Sequence, residues 1–171
     1  MLHAWENFYF MLGSASAGLI GLLFVVVSLT SGSDRGLAMR GAKIYLTPTV
    51  LHFAIVLTVS AFAIAPGLTP GMSGVIIGGA AVVGALSAIR ICVELRRGFL
   101  AGNQAAHWSD IWLYGAAPLV AYLPLLAAAV GLALGALWAA NAIGALLLAL
   151  VLLCIRNAWD LVTWLAPRRN D

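Results

Sequence analysis

Five long apolar stretches constrain this chain more than any other feature of its sequence. They cover approximately residues 8–29, 44–65, 72–95, 111–134 and 137–165. A helix that crosses the roughly 30 Å hydrocarbon core of a bilayer needs about 20 mostly apolar residues, and each stretch is long enough. The sequence therefore predicts a single all-α domain over residues 1–171, a polytopic transmembrane helix bundle with five spans.

The composition excludes other classes of protein. Hydrophobic residues make up 63% of the chain and charged residues 9%, whereas a soluble domain carries about 25% charged residues. So few polar groups cannot cover a water-exposed surface, which excludes a soluble domain, a disordered chain and a coiled coil. The runs at 22–27 and 146–150 are continuous rather than alternating, and this pattern favours helices over the strands of a membrane barrel.

Turn residues separate the five stretches. Residues 31–36 open the first loop, residues 66–71 form a Pro- and Gly-rich turn, and residues 96–110 are expected to form the longest loop. The fourth and fifth spans are separated only by Gly131 and Gly135. A four-span alternative would need a single helix of more than fifty residues, and we reject it on length.

The basic residues predict the orientation of the bundle. With five spans, all nine basic residues fall on the same side, and basic residues favour the cytoplasmic side. The N-terminus is therefore expected outside and the C-terminus in the cytoplasm, and the pI of about 9.2 needs no nucleic-acid partner. The nine residues are Arg35, Arg40, Lys43, Arg90, Arg96, Arg97, Arg156, Arg168 and Arg169.

Aromatic residues are expected to mark the two membrane interfaces, because tryptophan and tyrosine favour the headgroup zone. Trp5, Tyr9 and Trp138 would form the outer belt. The inner belt would contain Tyr45, Trp108, Trp112, Trp159 and Trp164.

Small residues recur four apart on two spans, and such ridges let helices approach closely. The first span carries Gly13, Ala17 and Gly21 with Ser14 and Gly18 beside them, and the third carries residues 74, 78, 80, 84 and 88. We expect most of these positions to pack inside the bundle. One face of the third span would remain for a neighbouring chain.

Polar residues on the inner side form the candidate site. His52, Arg90 and Arg156 fall at similar expected depths on three spans, and Glu94 and Asp160 each follow one of the arginines by four residues, nearer the span end. One interpretation is a hydrated vestibule that these residues share. The other is that the arginines extend to lipid headgroups and the acids neutralise them.

No catalytic or cofactor motif is recognisable. The chain has no serine elbow, zinc helix motif or phosphate loop, and we expect a protein that is not an enzyme. A haem would need facing histidines, and His107 falls in a predicted loop. We therefore expect neither a cofactor nor a metal.

Three segments carry a resemblance to known proteins. They are Trp5-Glu6-Asn7-Phe8-Tyr9, the segment from Leu46 through Thr47-Pro48-Thr49-Val50-Leu51 to His52-Phe53, and Asn157-Ala158-Trp159-Asp160. Together they resemble a family of small, uncharacterised bacterial integral membrane proteins. The resemblance implies a multi-pass protein of the bacterial inner (plasma) membrane, and it implies no catalytic residue.

Two classes of function follow from these patterns. The first is a non-catalytic membrane protein that serves as a scaffold, accessory or regulatory subunit. The second is a small oligomeric channel or transporter for an ion or small solute, with the polar residues as its cytoplasmic vestibule. The expected partners are the lipid bilayer and either further copies of the chain or a larger membrane complex.

Overall fold

The computed structural model describes residues 2–30, 45–100 and 108–165, and these residues form a helical bundle. A short 3-10 turn, Leu2–Trp5, leads into the first helix. The five long helices are α1 (Glu6–Thr30), α2 (Thr47–Ile64), α3 (Pro70–Leu100), α4 (Trp108–Ala133) and α5 (Trp138–Leu165).

All five helices are long and apolar enough to cross a membrane. The chain is therefore a multi-pass membrane protein, and the five predicted spans are confirmed as helices. Helix α3 continues to Leu100, five residues beyond its predicted end, so Arg96 and Arg97 lie on the helix rather than in a loop. Arginine is a good helix former, and no proline stops the helix there. The first predicted loop and its Arg35, Arg40 and Lys43 lie outside the described residues.

The turn between α2 and α3 follows directly from its residues. Gly67 adopts a φ of 78°, which is costly for a residue with a side chain. The Thr69 hydroxyl then accepts a hydrogen bond from the Met72 N–H at 3.3 Å, and Pro70 occupies the first helical position. A threonine cap followed by proline is a favourable helix start, since proline lacks only an N–H that would have no partner there.

The predicted break between α4 and α5 is also confirmed. Gly135 has a φ of 80°. Its N–H bonds to the Leu132 carbonyl at 3.0 Å, and the Ala136 N–H bonds to the Gly131 carbonyl at 2.8 Å. This pair of bonds is a Schellman motif, which satisfies the last carbonyls of α4 and reverses the chain.

Helix α1 lies at the edge of the bundle. It packs against α2 and α5, and the most extensive contact in the bundle is that of α3 against α4. In the most apolar segment of α1, 22% of the residues are buried. In the corresponding segments of the other four spans, the buried share is 33% to 50%. The core therefore lies among α2 to α5, with α1 covering one side.

Candidate functional site

A buried histidine–tyrosine pair lies at the centre of the bundle. His52 on α2 is 2% exposed, and Tyr122 on α4 is fully buried. The Nδ1 atom of His52 lies 2.8 Å from the Tyr122 hydroxyl, and the two ring centroids are 5.5 Å apart. The Tyr122 ring packs directly over Gly84 of α3, where a Cβ atom would overlap it. Three helices thus fix the position of this pair.

The second ring nitrogen of His52 has no partner. In the described part of the chain, nothing hydrogen-bonds its Nε2 atom, although that atom is buried. If the tyrosine donates to Nδ1, then Nε2 carries a proton that nothing accepts. If Nδ1 donates instead, then Nε2 is a free acceptor, because a neutral imidazole has one donor and one acceptor. Each tautomer leaves one buried polar atom that can bind a further group.

The four charged residues of the predicted cluster lie elsewhere. Arg90 and Glu94 on α3, like Arg156 and Asp160 on α5, are exposed on the outside of the bundle. Among the described residues neither arginine forms an ion pair with its acid, and Arg156 instead donates to the neighbouring Asn157 side chain at 3.3 Å. The structure therefore joins His52 to Tyr122 and does not enclose the four charges with it.

We expect Asp160→Asn to change the free energy of unfolding by at most about 1 kcal/mol, because Asp160 is exposed and even paired charges contribute little at an exposed position. Thermal unfolding in detergent measures the change, with Arg156→Gln as the companion variant. A buried vestibule predicts a loss of about 3–5 kcal/mol, since removing one partner leaves a buried charge unpaired. A loss of that size would restore the vestibule interpretation.

A polar network near the start of α4 was only partly visible in the sequence. Residues Ile111–Ala116 form a π-helix, in which the Ala117 N–H bonds to the Trp112 carbonyl five residues back. The corresponding partner of the Leu113 carbonyl would be residue 118, a proline without an N–H. The buried Asn157 side chain on α5 supplies the missing donor, with Nδ2 2.9 Å from that carbonyl.

Two tyrosines extend this network. The Tyr114 hydroxyl donates to the Asn157 backbone carbonyl at 3.0 Å, and the Tyr45 ring packs edge-on against Tyr114 with centroids 4.9 Å apart. Tyr45 donates to the Asp110 carboxylate at 3.1 Å. Burial and the adjacent Asp110 carboxylate raise the pKa of Tyr45 to about 12, so the phenol stays neutral at physiological pH. This network ties the start of α2 to α4 and α5.

The aromatic belt prediction needs one correction. Tyr9 is fully buried, and its hydroxyl donates to the Ala140 carbonyl of α5 at 3.1 Å. It therefore holds α1 to α5 rather than facing headgroups. The tryptophans at 108, 112, 138 and 159 are exposed, as a belt requires, while the side chains of His3 and Trp164 lie outside the described residues.

The small-residue faces also differ from expectation. On α3, Gly74, Gly84 and Ala88 are buried and Gly78 is partly covered, so this helix uses its small residues for internal packing. The predicted small-residue positions that stay exposed lie on α1 instead. There Gly13 packs against Ser60, but Ser14, Ala17, Gly18 and Gly21 are exposed, and a Cβ atom at either Gly18 or Gly21 would meet nothing within 4 Å.

The described residues contain no group of three or more histidine, cysteine, aspartate or glutamate side chains placed to hold a metal ion. His107 lies outside them. No protein-family model matches the chain, and neither a curated protein nor a solved structure matches it.

Proposed function

We propose that this protein is a non-catalytic subunit of a membrane assembly, with a scaffold, accessory or regulatory role. The supporting observation is the outward face of α1, on which Ser14, Ala17, Gly18 and Gly21 are exposed. Their spacing of i, i+3, i+4 and i+7 places them on one face of the helix. Small residues at this spacing let a second transmembrane helix approach closely and gain packing and hydrogen-bonding energy.

The location of α1 suits this role. It is the least buried of the five spans, and in the described part of the chain its main contacts are with α2 and α5. The partner is a transmembrane helix from another copy of the chain or from a larger complex. The assembly would lie in the bacterial inner membrane.

The test is the mass of the assembly after gentle detergent extraction. We expect Gly18→Leu and Gly21→Leu to dissociate the native assembly, because each new side chain would hold the two helices apart. The matched control is Gly79→Leu, since Gly79 on α3 is also exposed with open space around it. A wild-type protein that runs as a monomer, or an assembly that survives both α1 substitutions, would refute the proposal.

The orientation belongs to the same proposal. The basic residues favour an outside N-terminus and a cytoplasmic C-terminus. A reporter inserted at Thr69, between α2 and α3, should be exported, and one fused after Asp171 should remain in the cytoplasm. A cytoplasmic signal from the Thr69 fusion would reverse the proposed topology.

A second candidate is a small oligomeric channel or transporter. Its support is the Nε2 atom of His52, which is buried deep in the core and has no hydrogen-bond partner among the described residues. Ionisable side chains at such depth commonly belong to a solute or proton path. Flux of ions or protons through purified protein in liposomes, lost in His52→Phe, distinguishes this candidate from the first.

A further inference from the structure

The start of α4 is wound as a π-helix, and one backbone N–H there has two carbonyls within its reach along the helix. Residues Ile111–Ala116 have π geometry, and the Ala117 N–H bonds to the Trp112 carbonyl five residues back. In an α-helix the same N–H would bond to the Leu113 carbonyl, four residues back. Short π-helical turns inside α-helices are rare and often lie at functional sites. The acceptor of this one bond therefore distinguishes a π-helical from an α-helical start of α4.

The Asn157 side chain stabilises the π-helical form. When Ala117 bonds to Trp112, the residue five positions after Leu113 is Pro118, which has no N–H to donate. The Asn157 amide of α5 donates to the Leu113 carbonyl at 2.9 Å and replaces the missing N–H. In the α-helical form this carbonyl would receive the Ala117 N–H and would need no other donor. Asn157 thus bonds the carbonyl that only the π-helical form leaves open.

Two further side-chain contacts depend on how the start of α4 is rotated. Tyr114 is buried, and its hydroxyl donates to the backbone carbonyl of Asn157 at 3.0 Å. Asp110 accepts a hydrogen bond from the Tyr45 hydroxyl at 3.1 Å, which joins the start of α4 to the residues before α2. These contacts and the amide bond hold the segment at its present rotation.

Rewinding the π-helix as an α-helix would change that rotation. A π-helical turn closes its hydrogen bond over one residue more than an α-helical turn, and an α-helix advances about 100° per residue. Conversion therefore turns the residues before the π-helix, Trp108–Asp110, by up to about 100° against the rest of α4. Such a turn moves Asp110 away from Tyr45 and changes which side chains α4 presents to α2.

We propose that the start of α4, residues 108–116, is a two-state joint that converts between the π-helix and an α-helix, with the Asn157 amide as the latch that selects the π-helix. Both forms satisfy the Leu113 carbonyl, the first through Asn157 and the second through Ala117. Conformational devices of this kind exchange a few discrete contacts between two packings of the same chain. The joint rests on contacts within one chain and does not depend on either proposed function.

The first test measures the rotation of the joint. Spin labels are placed at Trp108 and Trp159, which are 58% and 71% exposed, in a chain whose Cys92 and Cys154 are replaced by alanine. Double electron–electron resonance in lipid bilayers then gives the distance between the two labels. With the latch intact we expect one distance. A turn of about 100° at a helix radius of 5–6 Å would displace the label at position 108 by up to about 8 Å.

The latch variant is Asn157→Leu, which removes the amide and keeps an apolar side chain of similar size. We expect a second distance to appear in this variant, because the π-helix no longer has a donor for the Leu113 carbonyl. The matched control is Asn141→Leu, at an exposed position of the same helix, and it should keep the single distance. Asn157→Ala replaces the latch variant if the leucine prevents folding. One unchanged distance without the amide would overturn the proposal.

The second test observes the Leu113 carbonyl directly, in a chain without spin labels. Leu113 and Tyr114 form the only Leu–Tyr pair in the sequence, so ¹³C-carbonyl leucine combined with ¹⁵N-tyrosine gives a single solid-state NMR signal in bilayers. In Asn157→Leu we expect this signal to keep the chemical shift of a hydrogen-bonded helical carbonyl, because the Ala117 N–H becomes its donor. A shift to the value of a carbonyl without a donor would show that the segment stays a π-helix, and this result would contradict the proposed joint.

Discussion

Gly84→Ala should cause a large loss of stability, about 1–3 kcal/mol in the free energy of unfolding. The new methyl group would overlap the ring of Tyr122. That ring is fully buried and held by its hydrogen bond to His52, so it has no free space to move into. Relief would require α3 and α4 to separate. Thermal unfolding of the purified protein in detergent measures the loss.

The matched control is Gly79→Ala on the same helix. A Cβ atom at Gly79 would meet nothing within 4 Å. Replacing glycine by alanine inside a helix favours the helix by up to about 1 kcal/mol, so the control should be as stable as the wild type or slightly more stable. Equal melting temperatures for the two variants would contradict the close contact between Gly84 and Tyr122.

Asn157→Ala should lower the free energy of unfolding by about 1–3 kcal/mol, which is the second large effect that we expect. The substitution removes the donor to the Leu113 carbonyl, which lies within the π-helix and has Pro118, without an N–H, at the position of its partner five residues on. The bond from Tyr114 to the backbone carbonyl of residue 157 does not involve the lost amide. The loss of stability therefore reports the side-chain amide itself.

Asn141→Ala provides the comparison, because Asn141 lies on the same helix but is exposed. Its removal should change stability by no more than about 0.5 kcal/mol. Both variants are compared with the wild type by thermal unfolding and by helical content. If Asn157→Ala proved as stable as Asn141→Ala, the π-helix would not need this amide.

The spans and turns were predictable because they depend on local chemistry. A long apolar stretch has one stable form in lipid, a helix that satisfies its own backbone. Proline and glycine then mark the ends, as at Gly67 and at the Schellman turn around Gly135. Even the sparsely marked fourth break followed from chain length and from the distribution of basic residues.

The candidate site was predictable only in part. The sequence singles out His52 by its depth in a span, but it gives no sign that Tyr122 is the partner of this histidine. The sequence predicts Tyr9 at the membrane interface, but this residue is buried and forms a contact between α1 and α5. The sequence can identify single residues of interest, such as His52. It does not show which neighbouring helix each side chain faces.

By itself, the sequence determined that the chain is a multi-pass helical membrane protein and, to within a few residues, where its helices lie. Hydrophobicity and turn preference act over a few residues, so they can be read directly along the chain. Only the tertiary structure decided which polar side chains are enclosed, that Gly84 receives the ring of Tyr122, and that the exposed residues of the predicted small-residue ridges lie on α1. These features depend on how each helix is rotated against its neighbours. In a chain with apolar residues on every face, the hydrophobic pattern gives almost no information about that rotation.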